Sequence, residues 1–335
     1  MPPSGDLGIG GCSGCGGGNP CGGCCIPGRK LCCCDCFSNE TIFGRAANGF
    51  LECLCCPDPC YEGHWLAVAD SAFFVDAARP VTQTRFRYDD AYQFTTPDRA
   101  DYFWGKEGLR GPKPPISHVD YQDLNVYTEA GNERLSAFIE MPYRELDIYP
   151  TAPAIPYEHA GFGDLTIGTK SLLMDCELMQ MAFEFKTFIL TGNFTEGLGT
   201  GHVSLEPSLL FNIKLTNTTY VQWQTSFWIP IGGDTAYEST IWHNHTSLNH
   251  TLWCPCQTIQ FVGTLEANEW TIFNGEYTVP NTTVANSSET TIFSAGPGIR
   301  MFICDKIDLG VGSAFSITGP RFEKELIRAE FRLRF

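Results

Sequence analysis

The chain ends on "ELIRAEFRLRF" (Glu325–Phe335), in which apolar and charged side chains alternate. Ile327 and Phe331 fall on one set of alternate positions, whereas Arg328 and Arg332 fall on the other. Because successive side chains of a β-strand point to opposite faces, this stretch predicts a strand with an apolar face and a charged face. One such strand fits a half-exposed soluble sheet as well as the wall of a membrane barrel, so the rest of the chain must decide between them.

The chain contains about twelve candidate strands, and the same alternation recurs in roughly ten of them, for example "MQMAFEFKTFIL" (179–190) and "HVSLEPSLLFNIKL" (202–215). The connections between them alternate between long ones, such as "DIYPTAPAIPYEHAGF" (147–162), and short ones, such as "CDK" (304–306), with an intermediate one at "WCPCQ" (253–257). Outer-membrane barrels have an even number of strands, long loops on one side and short turns on the other. The sequence therefore predicts an all-β fold: a closed antiparallel transmembrane β-barrel of about twelve strands.

Composition excludes several classes of protein. The formal net charge of -16 argues against nucleic acid as a partner, because neutralising phosphates requires a surplus of Lys and Arg. No apolar run approaches the ~18 residues of a membrane-spanning helix. The sequence contains neither the G-x-S-x-G nor the H-E-x-x-H motif. We therefore expect no enzymatic activity and no cofactor.

Cysteine is distributed very unevenly, with thirteen of the 17 residues before position 61. That region is rich in Gly and has no hydrophobic period, so we divide the chain into an irregular Cys-rich segment (1–60), a short helical linker or plug (61–80) and the barrel (81–335). Several Cys-x-x-Cys pairs have the spacing of zinc ligands, but disulfides are the favoured fate in an oxidising compartment, and free or lipidated thiols remain open. These pairs are Cys12 with Cys15, Cys21 with Cys24, Cys33 with Cys36, and Cys53 with Cys56.

If the apolar faces contact lipid, the charged faces enclose an aqueous lumen. Twelve strands predict a narrow, partly obstructed lumen, and charges of both signs could form a selectivity filter. Alternatively, these charges pair across neighbouring strands and hold the interior closed. The candidate pore-lining residues are Arg85, Arg87, Glu140, Arg144, Lys170, Glu184, Lys186, Glu206, Lys214, Arg328, Glu330, Arg332 and Arg334.

Two smaller groups of residues also lead to expectations. On the outer face, aromatic residues would form a girdle at the membrane interface. The candidates are Trp223, Phe227, Trp228 and Trp270, although Trp228 has the inward-facing parity of its strand. In "HNHTSLNH" (243–250), His243 and His245 share one strand face, a geometry that can hold a metal but is more typical of a plain polar strand.

Some segments resemble known proteins. The ending "AEFRLRF" (329–335) resembles the C-terminal signature of bacterial outer-membrane proteins, which implies that the barrel-insertion machinery recognises Phe335. In addition, "GFGDLTIGTKSLL" (161–173), "KTFILTGNFTEGLGTGHVSLEPSLLF" (186–211) and "FWIPIGG" (227–233) resemble the family named for the meta-pathway of phenol degradation. The resemblance covers roughly residues 85–335, and the Cys-rich segment does not match the family's common pattern.

That resemblance implies an outer-membrane channel related to the long-chain fatty acid transporters. Its partners would be outer-membrane lipid and a small-molecule solute. The channel would take up small solutes passively, and hydrophobic or aromatic molecules are the candidates. The Cys-rich segment would lie in the periplasm.

The main alternative is a disulfide-rich extracellular β-sandwich that acts as a binding or coat protein without a transport role. Frequent Asn-x-Ser/Thr triplets, as at Asn193 and Asn281, would then be glycan acceptors. The two hypotheses differ in where the apolar stripes lie. A dry interior formed by Phe183, Phe185, Leu205, Phe211 and Phe331 would support the sandwich and exclude the channel.

Overall fold

The computed structural model describes residues 41–45, 47–48, 65, 67–95, 116–233, 238–256, 258–277, 285–286, 289–304, 306–319 and 321–335. The chain divides into two compact units. Trp65–Met174 and Gln180–Phe335 form one, and Met1–His64 with Asp175–Met179 form the other. Cys176, in the second of these, is disulfide-bonded.

The cysteine pairs with zinc-ligand spacing lie outside the described residues. Their state as zinc ligands, disulfides or free thiols therefore stays a prediction. The residues concerned are Cys12, Cys15, Cys21, Cys24, Cys33, Cys36, Cys53 and Cys56.

Strands dominate the described residues. No helix among them combines the length and the apolar character that crossing a membrane requires. The strands are β1 (Gln83–Phe94), β2 (Ile116–Gly131), β3 (Leu135–Pro150), β4 (Tyr157–Phe162), β5 (Leu165–Asp175), β6 (Met179–Ile189), β7 (Val203–Thr216), β8 (Thr219–Ile231), β9 (Ile241–Cys256), β10 (Ile259–Ile272), β11 (Glu276–Tyr277), β12 (Ala285–Asn286), β13 (Thr290–Ile303), β14 (Ile307–Ser316) and β15 (Glu325–Arg334).

The strands close into a barrel. Neighbouring strands pair in the order β2-β1-β15-β14-β13-β10-β9-β8-β7-β6-β5-β3, and β2 also pairs with β3. The short strands β4 and β5 both pair with β3 and form one wall strand that is interrupted at residues 163–164. β11 and β12 pair only with each other. The wall therefore has twelve antiparallel strands, which confirms the predicted fold.

The two ends of the barrel differ in their connections. The short-turn end carries the turns at 132–134, 176–178, 217–218, 257–258 and 304–306, whereas the long-loop end carries 95–115, 151–156, 190–202, 232–240, 273–289 and 317–324.

Two predicted connections were wrong in length. β3 and β4 extend into the predicted loop 147–162 because Leu146, Ile148 and Tyr157 pack into an apolar cluster inside the barrel. Residues 253–256 continue β9, so the connection at "WCPCQ" is a short turn.

The apolar stripes face outward. Phe183 is 39% exposed, whereas its neighbour Glu184 is 1% exposed. The other strands repeat this pattern, with Leu248 at 42% beside Asn249 at 0%. Phe185, Leu205, Phe211 and Phe331 share the outward-facing positions. The β-sandwich alternative is therefore wrong as to fold, because its core residues lie on the outer surface of a closed barrel.

Half of the expected aromatic girdle is on the outside. Trp223 stacks on Phe211 on the outer face with ring centroids 4.8 Å apart, and Phe227 is 43% exposed. Trp228 (3% exposed) and Trp270 instead belong to an apolar cluster inside the barrel. The prediction was wrong for these two because their positions have the inward-facing parity of their strands.

Candidate functional site in the barrel lumen

A segment that precedes the barrel lies inside it. Residues 67–80, called the strap below, begin with the 3-10 helix Ala67–Asp70 and continue without regular secondary structure. Gln222 Oε1 accepts hydrogen bonds from the N–H groups of residues 71–72 at 3.0 Å each, and the Glu266 carboxylate accepts from those of residues 73–74 at 2.7 and 2.9 Å. A buried backbone without secondary structure needs such partners. The inner wall of the barrel supplies them.

The carbonyl groups of the strap are held by arginines. Arg300 Nε donates to the oxygen of residue 71 at 3.1 Å, Arg332 Nη2 to that of residue 72 at 3.1 Å, and Arg328 Nη1 to that of residue 73 at 2.6 Å. The strap partners come from β6, β8, β10, β13 and β15, so the strap spans the lumen.

Glycines on the inner wall make room for Phe73. A Cβ atom added to Gly298, Gly310 or Gly312 would come within 2.5–2.8 Å of the Phe73 ring. Arg300 lies over the same ring, with its guanidinium carbon 4.2 Å from the centroid. The inner faces of β13 and β14 therefore form a seat that fits one aromatic ring of the strap.

Arg300 is the centre of a buried ionic network. Its side chain is 0% exposed and contacts Asp308 at 2.6 Å and Glu330 at 2.7 Å. Arg332 adds a second contact to Glu330 at 2.7 Å, and Arg334 a second contact to Asp308 at 2.7 Å. Buried charges are tolerated only when they are paired, and here Asp308 and Glu330 each contact two guanidinium groups.

The two carboxylates of the strap join these networks. Burial by itself raises the pKa of Asp70, but Arg332 and Arg334 outweigh it and hold that pKa below its usual value. For Asp76, burial is likewise outweighed, by Lys186 at 2.6 Å and then by Arg85, and its pKa lies well below the usual value. Both carboxylates are therefore ionised at neutral pH and fix the strap to the wall electrostatically.

All thirteen candidate pore-lining residues occupy inward-facing positions. Most are engaged in ion pairs: Arg87 contacts Glu140 at 2.7 Å, and Lys186 contacts Glu184 at 3.1 Å. Arg144 pairs with Asp123 at 2.7 Å. Lys214 lies half-buried near the short-turn end. Most of these charges therefore pair with each other across the barrel interior, which is the alternative to a selectivity filter given above.

Sequence reasoning missed several members of this interior. Arg300 lies between two apolar, outward-facing positions of β13, so the alternation predicts that its side chain faces inward. Asp308 and Glu266 could have been found in the same way. The involvement of the strap had no signal in the alternation, since it belongs to no strand. The missed inward-facing polar residues are Asp89, Asp123, Glu129, Gln222, Gln224, Glu266, Arg300 and Asp308.

Between the strap and the long-loop end lies a cavity of about 210 Å³. One part of its wall is ionic, including Arg87 and Glu140, and another is aromatic, including Phe74, Phe94 and Trp270. Towards the long loops, inward-facing apolar side chains pack into one cluster inside the barrel; we call this set the collar. Its buried members are Phe94, Ile116, Val119, Leu146, Ile148, Phe188, Leu198, Trp228, Ile241, Ile272, Ile292 and Phe322.

Two of the sequence segments quoted above, 161–173 and 186–211, contact each other at Asp164. Its carboxylate accepts hydrogen bonds from the N–H groups of Thr191 (3.1 Å), Gly192 (2.9 Å) and Thr200 (2.8 Å). A Cβ atom on Gly199 would approach this carboxylate to 2.6 Å, which accounts for a glycine there. Asp164 thus holds the loop 190–202 against the place where the wall strand breaks.

We expect Asp164→Ala to release this loop, because at least three N–H groups lose their acceptor, at roughly 1–3 kcal/mol for each one left buried and unpaired. Limited proteolysis of the folded protein in detergent should show new cleavage within 190–202. Glu145→Ala, at an exposed outward position, is the matched control and should be cleaved like the unchanged protein. Equal protection of both variants would contradict the role given to Asp164.

The described residues contain no group of three or more His, Cys, Asp or Glu side chains suited to a metal ion. His243 and His245 share the inner face with ring centroids 5.7 Å apart, and His243 Nδ1 lies 3.3 Å from Glu206. His250 lies on the outer face, where Nδ1 contacts Thr219 Oγ1 at 2.8 Å.

Comparison with known proteins identifies the fold. No family model matches the chain, and no curated protein matches it in sequence. Among the solved structures, an outer membrane channel from Pseudomonas putida F1 matches over 79% of this chain and 97% of that one, with a TM-score of 0.52 and 14% identity. The NanC porin (76% and 98%, TM-score 0.42, 6% identity) and a Pseudomonas aeruginosa FadL homologue (80% and 92%, TM-score 0.34, 8% identity) are more distant.

At such identities the likeness concerns the fold. The resemblance of the motifs to the phenol-degradation family stays a prediction. Together, the twelve-stranded closed wall, its apolar outer face and the Pseudomonas putida structure show that this chain has the fold of a transmembrane outer-membrane β-barrel.

Proposed function

We propose that this protein is an outer-membrane channel for the passive uptake of small solutes. The observation that carries this proposal is the cavity of about 210 Å³ inside the closed wall, with polar and aromatic lining. An aqueous space with polar walls inside an apolar cylinder is what a solute path across a bilayer requires. We propose no enzymatic role and no cofactor.

Because the collar is apolar, we propose that the solutes taken up are small hydrophobic or aromatic molecules. A solute that enters from the long-loop end passes between the apolar side chains of this cluster, such as Phe94, Phe188 and Phe322, and the removal of apolar surface from water there favours an apolar solute. The ionic part of the wall follows, with Arg85, Glu140 and Lys186 as the candidate selectivity residues.

We place the long-loop end outside the cell and the short-turn end in the periplasm, as in outer-membrane barrels generally. The Cys-rich segment (1–60) would then lie in the periplasm, because the barrel begins at the short-turn end. Outer-membrane lipid would surround the apolar outer face.

Passage through the lumen requires the strap to move, since it spans the lumen on the short-turn side of the cavity. Reconstitution of the full chain in planar bilayers, together with a variant whose strap is dislodged, tests the proposal. Stepwise conductance that increases in the variant supports a channel. If neither protein conducts, the channel proposal is wrong and this protein is a structural barrel.

The last residue, Phe335, is 76% exposed, and its N–H donates to the Thr82 carbonyl at 3.0 Å. We propose that the insertion machinery binds this aromatic side chain. Phe335→Ala should therefore lower the amount of folded protein in the outer membrane of a bacterial host, measured as heat-modifiable bands on gels. Phe335→Tyr retains the ring and should assemble normally. Equal yields of the Ala variant and the unchanged chain would contradict this recognition.

A further inference from the structure

Glu206 is a carboxylate in the wall of the cavity. It lies on the inner face of β7 and is one of the residues that line the cavity. Its Oε1 accepts a hydrogen bond from Ser226 Oγ at 2.7 Å and lies 3.3 Å from His243 Nδ1. Among the described residues, Glu206 forms no salt bridge with Lys or Arg, and its Oε2 accepts no hydrogen bond. One oxygen of a carboxylate beside the cavity is therefore unused.

The ionic chain beside Glu206 is balanced without it. Nine salt bridges join five basic side chains and five carboxylates in one alternating chain that runs from Arg328 to Glu129. Lys186 attracts Glu206 from a greater distance, but its ammonium group already contacts two carboxylates of the chain, at 2.6 and 3.1 Å. Buried charges are tolerated when they are paired, so Glu206 is the carboxylate here that can accept a further cation.

Aromatic rings lie beside Glu206 on the same side of the cavity. Trp270 on β10 is directly opposite His243 on β9, so a single side chain separates Trp270 from Glu206. The Trp270 ring contacts that of Phe322 with centroids 5.6 Å apart, and Phe322 stacks on Phe94 at 5.8 Å. These three rings also line the cavity. A molecule in the cavity can therefore place a ring against Trp270 and a polar group against Glu206.

The charges of the lining favour a cation. Seven carboxylates and five basic side chains are among the described residues that line the cavity, so with neutral histidines the lining has a negative surplus. A bound anion would gain no counter-ion, because each of the five basic side chains is already paired with a carboxylate. A primary ammonium group supplies a positive charge and three N–H donors, and aromatic faces attract it as well.

We propose that the cavity binds a primary amine on a single aromatic ring. Its ammonium group donates to Glu206 Oε2, and its ring packs against Trp270. The size agrees, because a cavity of about 150 Å³ holds one benzene ring and this one has about 210 Å³. This assignment rests on the proposed function, since it names the class of solute that the lumen selects.

Benzylamine is the probe, and benzyl alcohol and methylamine are the comparison compounds. Benzyl alcohol has the ring without the charge, whereas methylamine has the charge without the ring. Calorimetric titration of the purified full chain in detergent at neutral pH should show saturable benzylamine binding at least tenfold tighter than that of either comparison compound. Glu206→Gln should weaken benzylamine binding at least tenfold and leave the binding of benzyl alcohol unchanged.

Glu269→Gln is the matched control, because it also converts a carboxylate to an amide but lies on the outer face of β10, away from the cavity. It should bind benzylamine as the unchanged chain does. Trp270→Leu is a second test variant and should weaken benzylamine binding several-fold while leaving methylamine binding unchanged. Heat-modifiable gel mobility checks that each variant is folded.

Equal affinity for benzylamine and benzyl alcohol would show that an imidazolium at His243 already neutralises Glu206, and would overturn the assignment. Unchanged benzylamine binding in folded Glu206→Gln or Trp270→Leu, or methylamine binding as tight as that of benzylamine, would also overturn it. Binding is measured at equilibrium without transport. A conducting channel with no preference for benzylamine therefore refutes this assignment alone, whereas a silent barrel that prefers benzylamine refutes the channel alone.

Discussion

Replacement of Gly312 by valine should raise the conductance that the proposed channel function predicts for this barrel. A Cβ atom at this position would come within 2.8 Å of Cγ and Cδ2 of Phe73, and the two further carbons of valine enter the ring itself. Overpacking of this kind costs about 1–3 kcal/mol. The wall is fixed by hydrogen bonds to both neighbouring strands, so the strap yields, and its bound-to-released ratio falls by roughly 5–150-fold.

Single-channel recording measures this effect as an increased open probability or a larger conductance step. Gly263→Val is the matched control, since Gly263 also lies in a strand but faces outward, where the nearest atoms to an added Cβ belong to the flexible side chain of Leu252, at 3.0–3.4 Å. Both substitutions raise the β-propensity equally. A difference in conductance between the two variants therefore reports on the glycine seat of Phe73. Identical recordings from the two variants would show that the strap does not obstruct conduction.

Replacement of Arg300 by methionine should cause the largest loss of stability of any single change in the barrel interior. The substitution leaves Asp70, Asp308 and Glu330 with only Arg332 and Arg334 as partners, a buried excess of one negative charge. Removing one partner of a buried ionic network costs roughly 3–5 kcal/mol. Denaturant unfolding of the protein in detergent, followed by gel mobility, measures the change in the free energy of unfolding.

A second change should reverse much of this loss. The double variant Arg300→Met and Glu330→Gln removes one charge of each sign, and we expect it to be more stable than Arg300→Met alone. Arg300→Lys should fall between the two, because lysine retains the charge but lacks the planar fork that contacts two carboxylates and the strap together. If Arg300→Met unfolds at the same denaturant concentration as the unchanged chain, the network does not stabilise the barrel.

Local alternation determined most of the wall. In β15, Ile327 and Phe331 face outward while Arg328 and Arg332 face inward, as the terminal stretch alone predicts. The side-chain period of a strand is two residues, so the face of each residue follows from parity once one face is known. The alternation of short turns and long loops then predicted which side the apolar faces take. Strand ends were less certain, as the extensions of β3 and β9 show, because packing inside the barrel and not local pattern ends a strand.

Only the tertiary structure decided what occupies the lumen. Parity says that Arg300 and Glu266 point inward, but it does not say that residues 71–74 lie between them and take their hydrogen bonds. Phe73 and its glycine seat are more than 200 residues apart in sequence, and no local period relates them. The strap has no regular secondary structure, so its sequence needs no repeating pattern. Its backbone is stabilised by side chains of the wall, and these come together only when the barrel has closed.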